Sequence, residues 1–286
     1  MNGEKMPAIS VIMGVYNQFN KQQLLDSINS ILYQTFSDFE FIIYNDGSDE
    51  VVAGYLEEIS KTDTRIVFFG KAENHGLAYS LNSCIEKAKG KYIARMDADD
   101  ISLPNRLEIQ KDFLDKNTEY AWCGCNTDLF DENGVWGQRF MPKEPSKEDY
   151  LKYSPYVHPT VMYRSEIFDE HLGYLESKDV LRCEDYEIFM RFRYKGLRGA
   201  NIQEILFQYR EDRESYKKRT WKHRINEAKC RYRNYKKLGI LFPVGIFCVI
   251  RPIVGGLIPR ELIRFLKREE SRFAQKQDRK RKEIIQ

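Results

Sequence analysis

The N-terminal third of the chain alternates short apolar runs with segments of helical period, and no other feature narrows the possible folds as far. Ala8-Ile9-Ser10-Val11-Ile12-Met13 reads as a strand buried on both faces, and a helix-length stretch from Lys21 to Tyr33 follows it. Phe39 to Tyr44 and Arg65 to Phe69 are the second and third strands. Leu77, Leu81, Cys84, Ile85 and Ala88 recur at helical spacing, and Lys91 to Met96 makes a fourth strand. This alternating order predicts a mostly parallel sheet with helices on both faces. Ligands of such sheets bind beyond the carboxyl ends of the strands.

Two acidic segments fall at such ends, Asn45-Asp46-Gly47-Ser48-Asp49 and Asp97-Ala98-Asp99-Asp100. Carboxylates without partners are too costly to bury as packing residues. Taken alone, the second cluster is either a solvated turn capping a helix or an oxygen-rich seat for a hard cation, Mg²⁺ or Mn²⁺, that also holds phosphate. The next helix is expected to open near Ser102, with Pro104 in its first turn. Tyr120 to Cys125 and Thr127 to Phe130 read as strands, with Asn133-Gly134 as a hairpin turn. Arg182 to Lys195 reads as a helix and Ile202 to Tyr209 as an edge strand.

The chain of 286 residues suffices for one ordinary domain and an appendage, and 42% hydrophobic residues argue for a packed core rather than disorder. The formal net charge of +3 conceals an asymmetry: from Arg210 to Gln286 there are 23 Lys/Arg and 9 Asp/Glu, a net +14, which leaves −11 for the rest. A basic tail on an acidic body calls for an anionic partner, a membrane surface or nucleic acid. Six scattered cysteines without a CxxC pair read as buried thiols of a reducing compartment. Cys123 and Cys125 alternate on one strand face. No apolar leader follows the first charges, so a signal peptide is not expected.

From Lys217 the character changes. Trp221, Ile225, Ala228, Tyr232 and Tyr235 predict an amphipathic helix whose other faces carry Lys and Arg. Leu238 to Ile258 is apolar but broken by Pro243, Arg251, Pro252 and Gly255-Gly256, so an interfacial or re-entrant element is expected over a span of about 20 residues. The last stretch, Arg260 to Gln286, is basic and helix-prone. The expected division is a domain at 1–215 and a helical extension at 216–286.

Seven blocks then occur in one order: SVIMGVYN (Ser10 to Asn17), SINSILYQTFSDFEFIIYNDGSDE (Ser27 to Glu50), NHGLAYSLN (Asn74 to Asn82), ARMDADD (Ala94 to Asp100), PNRLEIQ (Pro104 to Gln110), HPTVMYR (His158 to Arg164) and CEDYEIFMR (Cys183 to Arg191). Together they resemble the inverting family 2 glycosyltransferases with the GT-A fold, of the kind that build bacterial capsule, O-antigen and exopolysaccharide. The resemblance implies an α/β nucleotide-diphospho-sugar transferase with a Rossmann-like sheet, here followed by the basic helical, membrane-associating extension. It implies a UDP-sugar donor, Mg²⁺ or Mn²⁺, and transfer of a hexosyl or N-acetylhexosaminyl group.

By the same resemblance, Val15 and Tyr16 lie in the loop that holds the nucleobase, and Asp46 accepts from the uracil imide. Asn74 and Gly76 line the donor side at a helix N-terminus. Asp97 faces the ribose and Asp99 holds the metal, whereas Asp100 is structural and Arg106 a structural ion-pair residue. Asp185 is the catalytic base. On a helical wheel Asp185 shares its face with Ile188, Phe189 and Phe192, which would raise its pKa; taken alone it reads rather as a helix-N-terminal acid stabilised by the macrodipole, and the resemblance reverses that preference. His158, Glu184 and Arg210 are assigned to the diphosphate or acceptor side, and for His158 a surface position is the alternative. The sequence departs from the family at Gly14, where many relatives have Pro, and at Asn45, where many have Asp. Asp212 stands where the family's Tyr-Arg-x-His-x-x-Ser pattern has His, with Tyr209, Arg210 and Ser215 matching and Arg210 or Arg213 as the substitute for that His.

The expected acceptor is a saccharide, linked to a lipid diphosphate and held at an anionic membrane. The expected location is cytoplasmic, peripheral to the inner face of the plasma membrane, with no nucleic acid as partner. A nucleotidyltransferase would share the sheet and the metal acids, yet GVYNQFN lacks the glycines and lysine of its basic first loop. A nucleic-acid module could use Trp221, Tyr232 and Tyr235 for stacking, but would leave the acidic body unexplained.

Overall fold

A computed structural model describes residues 6–171, 173–211 and 220–259, together with 262, 265, 266, 268 and 269. Strand β1 (Ile9–Val15) lies between β2 (Phe39–Asp46) and β4 (Tyr92–Arg95), both parallel to it, and β3 (Ile66–Lys71) extends the sheet beyond β2. Helices α1 (Lys21–Leu32), α2 (Glu50–Ser60) and α3 (Leu77–Lys87) make the crossovers. Residues alternate in direction along β1. Val11 and Met13 join Leu24, Ile28, Val52 and Leu56 under α1 and α2, while Ile12 joins Leu81 and Cys84 under α3. The spatial order β3-β2-β1-β4 reverses direction between β1 and β4, which opens a crevice at their carboxyl ends.

The second half of the sheet is mixed. Strands β6 (Trp122–Asp131) and β9 (Gly199–Arg210) run parallel, and β8 (Met162–Arg164) joins β6 to β4 by antiparallel pairing. The strand order continues β4-β8-β6-β9-β5, with β5 being Ile101–Ser102, and β7 (Gly134–Arg139) forms a hairpin with β6. The two strands expected at Tyr120 to Cys125 and Thr127 to Phe130 are one strand whose register slips around Asn126. The Asn126 side chain is buried and accepts from the Met141 amide at 2.8 Å, so a polar residue in the run marks a bulge rather than a gap.

Three other expectations are corrected. Ser102 is a strand residue: its amide donates to Ser30 Oγ at 3.0 Å, and helix α4 (Arg106–Lys116) opens only after Leu103-Pro104-Asn105. β9 is not an edge strand, because β5 pairs with its far side at Phe207 and Gln208. The helix α7 (Trp221–Leu238) forms as expected, but its apolar stripe is divided between inside and outside. Ala228 and Tyr235 are buried together with Glu227, Arg231 and Asn234, whereas Trp221, Ile225 and Tyr232 are exposed. Periodicity favoured the apolar stripe, but tertiary pairing satisfies a polar one. Arg231 donates to Glu227 at 2.9 Å and to the Tyr235 hydroxyl at 2.7 Å, and that hydroxyl also meets Tyr186.

Tyr186 belongs to α6 (Glu184–Tyr194), a helix buried along most of its length between the sheet and α7. Tyr235 and Leu238 share one apolar cluster with Trp122, Phe189 and Phe192. Helix α8 (Ile246–Val254) packs back on α7, and the short α5 (Glu166–His171) follows β8. Among the described residues no helix is long and apolar enough to cross a membrane. Five of the six cysteines are buried and Cys248 half-buried, all as free thiols. Asp212, Arg213, Ser215 and most of the stretch from Arg260 onward lie outside the described residues.

Candidate active site

Three loops meet beyond the carboxyl ends of β2, β1 and β4. The first two are stitched together: the Asn17 amide donates to Ser48 Oγ at 3.0 Å, and Asn17 Oδ1 accepts from the Asp49 amide at 2.8 Å. Val15 is buried and offers only its backbone, while the Tyr16 ring is exposed beside it. Gly14 explains its own identity, since a Cβ there would lie 2.7 Å from Ser80 Cβ on α3. Asp46 closes β2 and is buried. Its carboxylate accepts from Asn74 Nδ2 at 2.8 Å, the His75 amide at 2.9 Å and the Gly76 amide at 2.8 Å. Of about four acceptor positions on a carboxylate, three are therefore committed to the loop that opens α3. Gly76 adopts φ 95°, a conformation that disfavours side chains, and the space over its Cα is open.

The acid cluster sits on a buried arginine that sequence reasoning passed over. Arg95 ends β4 with its side chain enclosed, and its Nη2 meets Asp97 Oδ1 at 2.6 Å. A charged residue in an otherwise apolar strand was the available signal, since burial demands a partner. Asp97, Asp99 and Asp100 each bring an oxygen within 4.8 Å of the others. Asp100 is enclosed, and one of its oxygens has no hydrogen-bond partner. Its carboxyl is held well above the usual range, first by burial and then by the charges of Asp99 and Asp97. An orphaned carboxylate oxygen beside two further acids is a donor set of hard oxygens, and it fits Mg²⁺ or Mn²⁺.

Arg210, at the end of β9, reaches the same turn. Its amide donates to Asp100 Oδ1 at 2.7 Å, its Nε donates to the Asp99 carbonyl at 2.8 Å, and its guanidinium lies 4.3 Å from the Phe130 ring centre. Arg106 lies beneath the cluster but is not the ion-pair residue expected. It is enclosed, donating to Gln110 Oε1 at 2.9 Å and the Arg95 carbonyl at 2.8 Å, and burial pulls its pKa down to about 10.

The second acidic element is the start of α6. Glu184, Asp185 and Glu187 occupy its first turn, where the helix dipole favours negative charge. Asp185 is half-buried, and Glu184 is the enclosed carboxyl, raised above its ordinary pKa chiefly by burial. α6 is wrapped on all sides from Tyr186 to Phe192, so its faces do not differ as a surface helix's would. Glu187 is instead paired with Arg191 at 3.0 Å.

Tyr174 is enclosed beside His158. Burial is the main cause that pushes its hydroxyl up to about 12, with Tyr163 and Arg95 opposing and Asp185 and Asp97 adding to it. That hydroxyl lies 2.7 Å from His158 Nε2 and 3.3 Å from the Tyr163 hydroxyl. Asn82 of α3 fixes the loop, accepting from the Tyr174 amide at 2.7 Å and donating to its carbonyl at 2.8 Å. His158 is thus on the floor of the site rather than at the surface.

Burial, aided by Arg95, pushes the pKa of His158 well below the ordinary histidine value. The native state therefore binds fewer protons at this ring than the unfolded chain does. Its stabilising contribution is complete above the unfolded pKa of about 6.5 and falls as pH drops below it, by at most about 1.4 kcal/mol per pH unit. Melting curves of the wild type and His158→Gln over a pH series check this: the variant is expected to lack that share of the acid slope.

A mixed α/β sheet with loops meeting at its switch point, an acid triplet at the end of β4 and further acids opening α6 have the arrangement of a sugar-nucleotide transferase of the GT-A class. The sequence model described as "Glycosyl transferase family 2" matches residues 10–172. The chain is 35% identical over 254 residues to the "Putative glycosyltransferase EpsE" of Bacillus subtilis, covering 88% of this chain and 90% of the relative. It is 29% identical over 258 residues to the Escherichia coli "UDP-Gal:alpha-D-GlcNAc-diphosphoundecaprenol beta-1,3-galactosyltransferase", covering 88% and 92%. In fold it is similar to the mannosyltransferase PcManGT of Pyrobaculum calidifontis in complex with GDP-Man and Mn²⁺, at a TM-score of 0.62, 14% identity, and 92% and 79% of the two chains. The chain belongs to glycosyl transferase family 2.

Proposed function

We propose that this glycosyltransferase moves a hexosyl or N-acetylhexosaminyl group from a UDP-sugar to a hydroxyl of a lipid-diphosphate-linked saccharide, with inversion, in surface polysaccharide assembly. The observation that carries it is the cluster of Asp97, Asp99 and Asp100 at the end of β4, whose carboxylate oxygens lie within 4.8 Å of one another. The name of the E. coli relative supports both the UDP donor and the lipid-diphosphate acceptor.

In this reading the Val15 backbone and the open Tyr16 ring receive the base. Asp46 gives its remaining acceptor position to the imide N–H while holding Asn74 and Gly76 in place. Asp97, fixed by Arg95, meets the ribose. Bound at Asp99, Mg²⁺ or Mn²⁺ supplies positive charge against the departing diphosphate. Asp185 takes the proton of the acceptor hydroxyl, whose oxygen attacks the anomeric carbon as the bond to UDP breaks on the opposite face. One base and no protein nucleophile suffice for a single displacement. Arg210 and Glu184 border the diphosphate and acceptor side, with His158 acting from below through Tyr174. The protein works in the cytoplasm, at the inner face of the plasma membrane.

Nucleotide release from a panel of UDP-sugars, with GDP-mannose alongside, tests the donor. The acceptors are a GlcNAc-diphosphate lipid and the same sugar without lipid. One UDP-sugar is expected to turn over, and with the lipid-linked acceptor only. Preference for GDP-mannose would overturn the donor class, and equal rates on the lipid-free sugar would overturn the acceptor.

A further inference from the structure

Helix α8 has two apolar faces and only one of them is packed. Val249 and Pro252 are buried against the body, whereas Phe247 is 71% exposed and Ile250 and Val254 about half exposed on the other side. The face continues past the helix in Leu257, 74% exposed, and begins before it in Phe242, 73% exposed. An apolar helix face is normally enclosed, and among the described residues the outer face of α8, which the exposed Arg251 borders, has no apolar cover.

The charges around it identify that partner. Between Thr220 and Pro259 the sequence has eight Lys/Arg and one acid, Glu227, which is buried and paired with Arg231. Lys222, Lys229, Arg233, Lys236 and Lys237 are exposed along α7, while the remainder of the protein is acidic overall. A second copy of so basic an element would repel it. Large apolar side chains flanked by cations match an anionic lipid surface, where apolar burial and attraction to headgroups act together.

We infer that the outer face of α8, from Phe242 to Leu257, is a docking surface that inserts into the headgroup region of an anionic bilayer, with the exposed cations of α7 beside it. Trp221 abuts the helix end at Gly256, placing an indole at the rim, a position such rings favour at interfaces. α8 packs on α7 and α7 on α6, so the docking surface is joined through packed helices to the element that carries Asp185. This deepens the lipid-linked acceptor reading, yet it is tested without donor or acceptor.

The experiment is flotation of the full chain with vesicles containing phosphatidylglycerol or only phosphatidylcholine, over a salt series. The wild type is expected to float with the anionic vesicles and to be released by salt. Phe247→Glu with Leu257→Glu is expected to lower the bound fraction by about tenfold or more. Turnover on a soluble acceptor, or the wild-type melting temperature where none is found, shows that this variant is folded. Lys229→Gln with Lys236→Gln leaves the apolar face intact and is expected to flatten the salt dependence. Failure of the wild type to float, or flotation of the glutamate variant at the wild-type level, overturns the inference. So does a dimer in sedimentation equilibrium that the same two glutamates dissociate, which would make the occupant a second copy. A wrong donor or acceptor assignment would change none of these readouts.

Discussion

Asp185→Asn is expected to lower kcat by about 10²–10⁴-fold, the range lost when a positioned general base is removed. Asparagine keeps the size of the side chain and its hydrogen-bonding reach but cannot accept the proton of the acceptor hydroxyl. Donor affinity should be nearly unchanged, because the nucleotide loops belong to the other half of the sheet. The adjacent acid provides the internal comparison. Glu184 is enclosed and held toward its neutral form by burial, so Glu184→Gln replaces a group already disposed to be uncharged. It is expected to cost less than about tenfold. Nucleotide release and donor titration on both variants, with melting curves to show folding, separate the two roles. A folded Asp185→Asn enzyme working at the wild-type rate would remove the base from the mechanism.

Asp99→Asn is expected to cost about 10²–10³-fold in kcat/KM, the scale of losing one preorganised electrostatic contact to a developing charge. The wild type should lose activity to a chelator and regain it with Mg²⁺ or Mn²⁺. In the variant the metal concentration giving half-activation should rise. Direct titration of Mn²⁺ into the protein by calorimetry gives a second readout, independent of turnover. Asp97 and Asp100 remain in the variant, and Asp97 is already engaged with Arg95, so weakened rather than abolished metal binding is the expected outcome. Metal binding and kcat/KM both unchanged in Asp99→Asn would mean that the triplet does not seat the cation through this residue.

Much of this site could be read in the chain before folding was considered. The alternation of apolar runs and helical periods placed β1, β2, β3 and β4, and hence set both acid clusters at the ends of their strands. The reason is local: a parallel strand enclosed on both faces must be continuously apolar, and its charged residues can appear only where it stops. What the residues did not disclose lies wherever burial and polarity coincide. Arg95 looks like a misfit in its strand until Asp97 is seen folded back onto it. Asn126 looks like the end of a strand until its side chain is found occupied by the Met141 amide.

Helix faces were divided for the same reason. On α7 the apolar residues Trp221, Ile225 and Tyr232 face outward, because Glu227, Arg231 and Tyr235 satisfy one another inside. On α6 the wheel could not distinguish Asp185 from Glu184, since a helix packed on every side has no solvent face against which to measure.

The sequence by itself determined the class of sheet, the loops at its switch point and the identity of the acids, because period and the cost of burying charge act along the chain. The tertiary structure alone decided which polar groups face each other. It drew Arg210 onto the acid turn, tied the Tyr174 backbone to Asn82 and joined Tyr235 to Tyr186. Those partners are tens of residues apart, and in a low-dielectric interior a charge or hydroxyl is stabilised by whatever group the fold brings within reach, which no local pattern encodes.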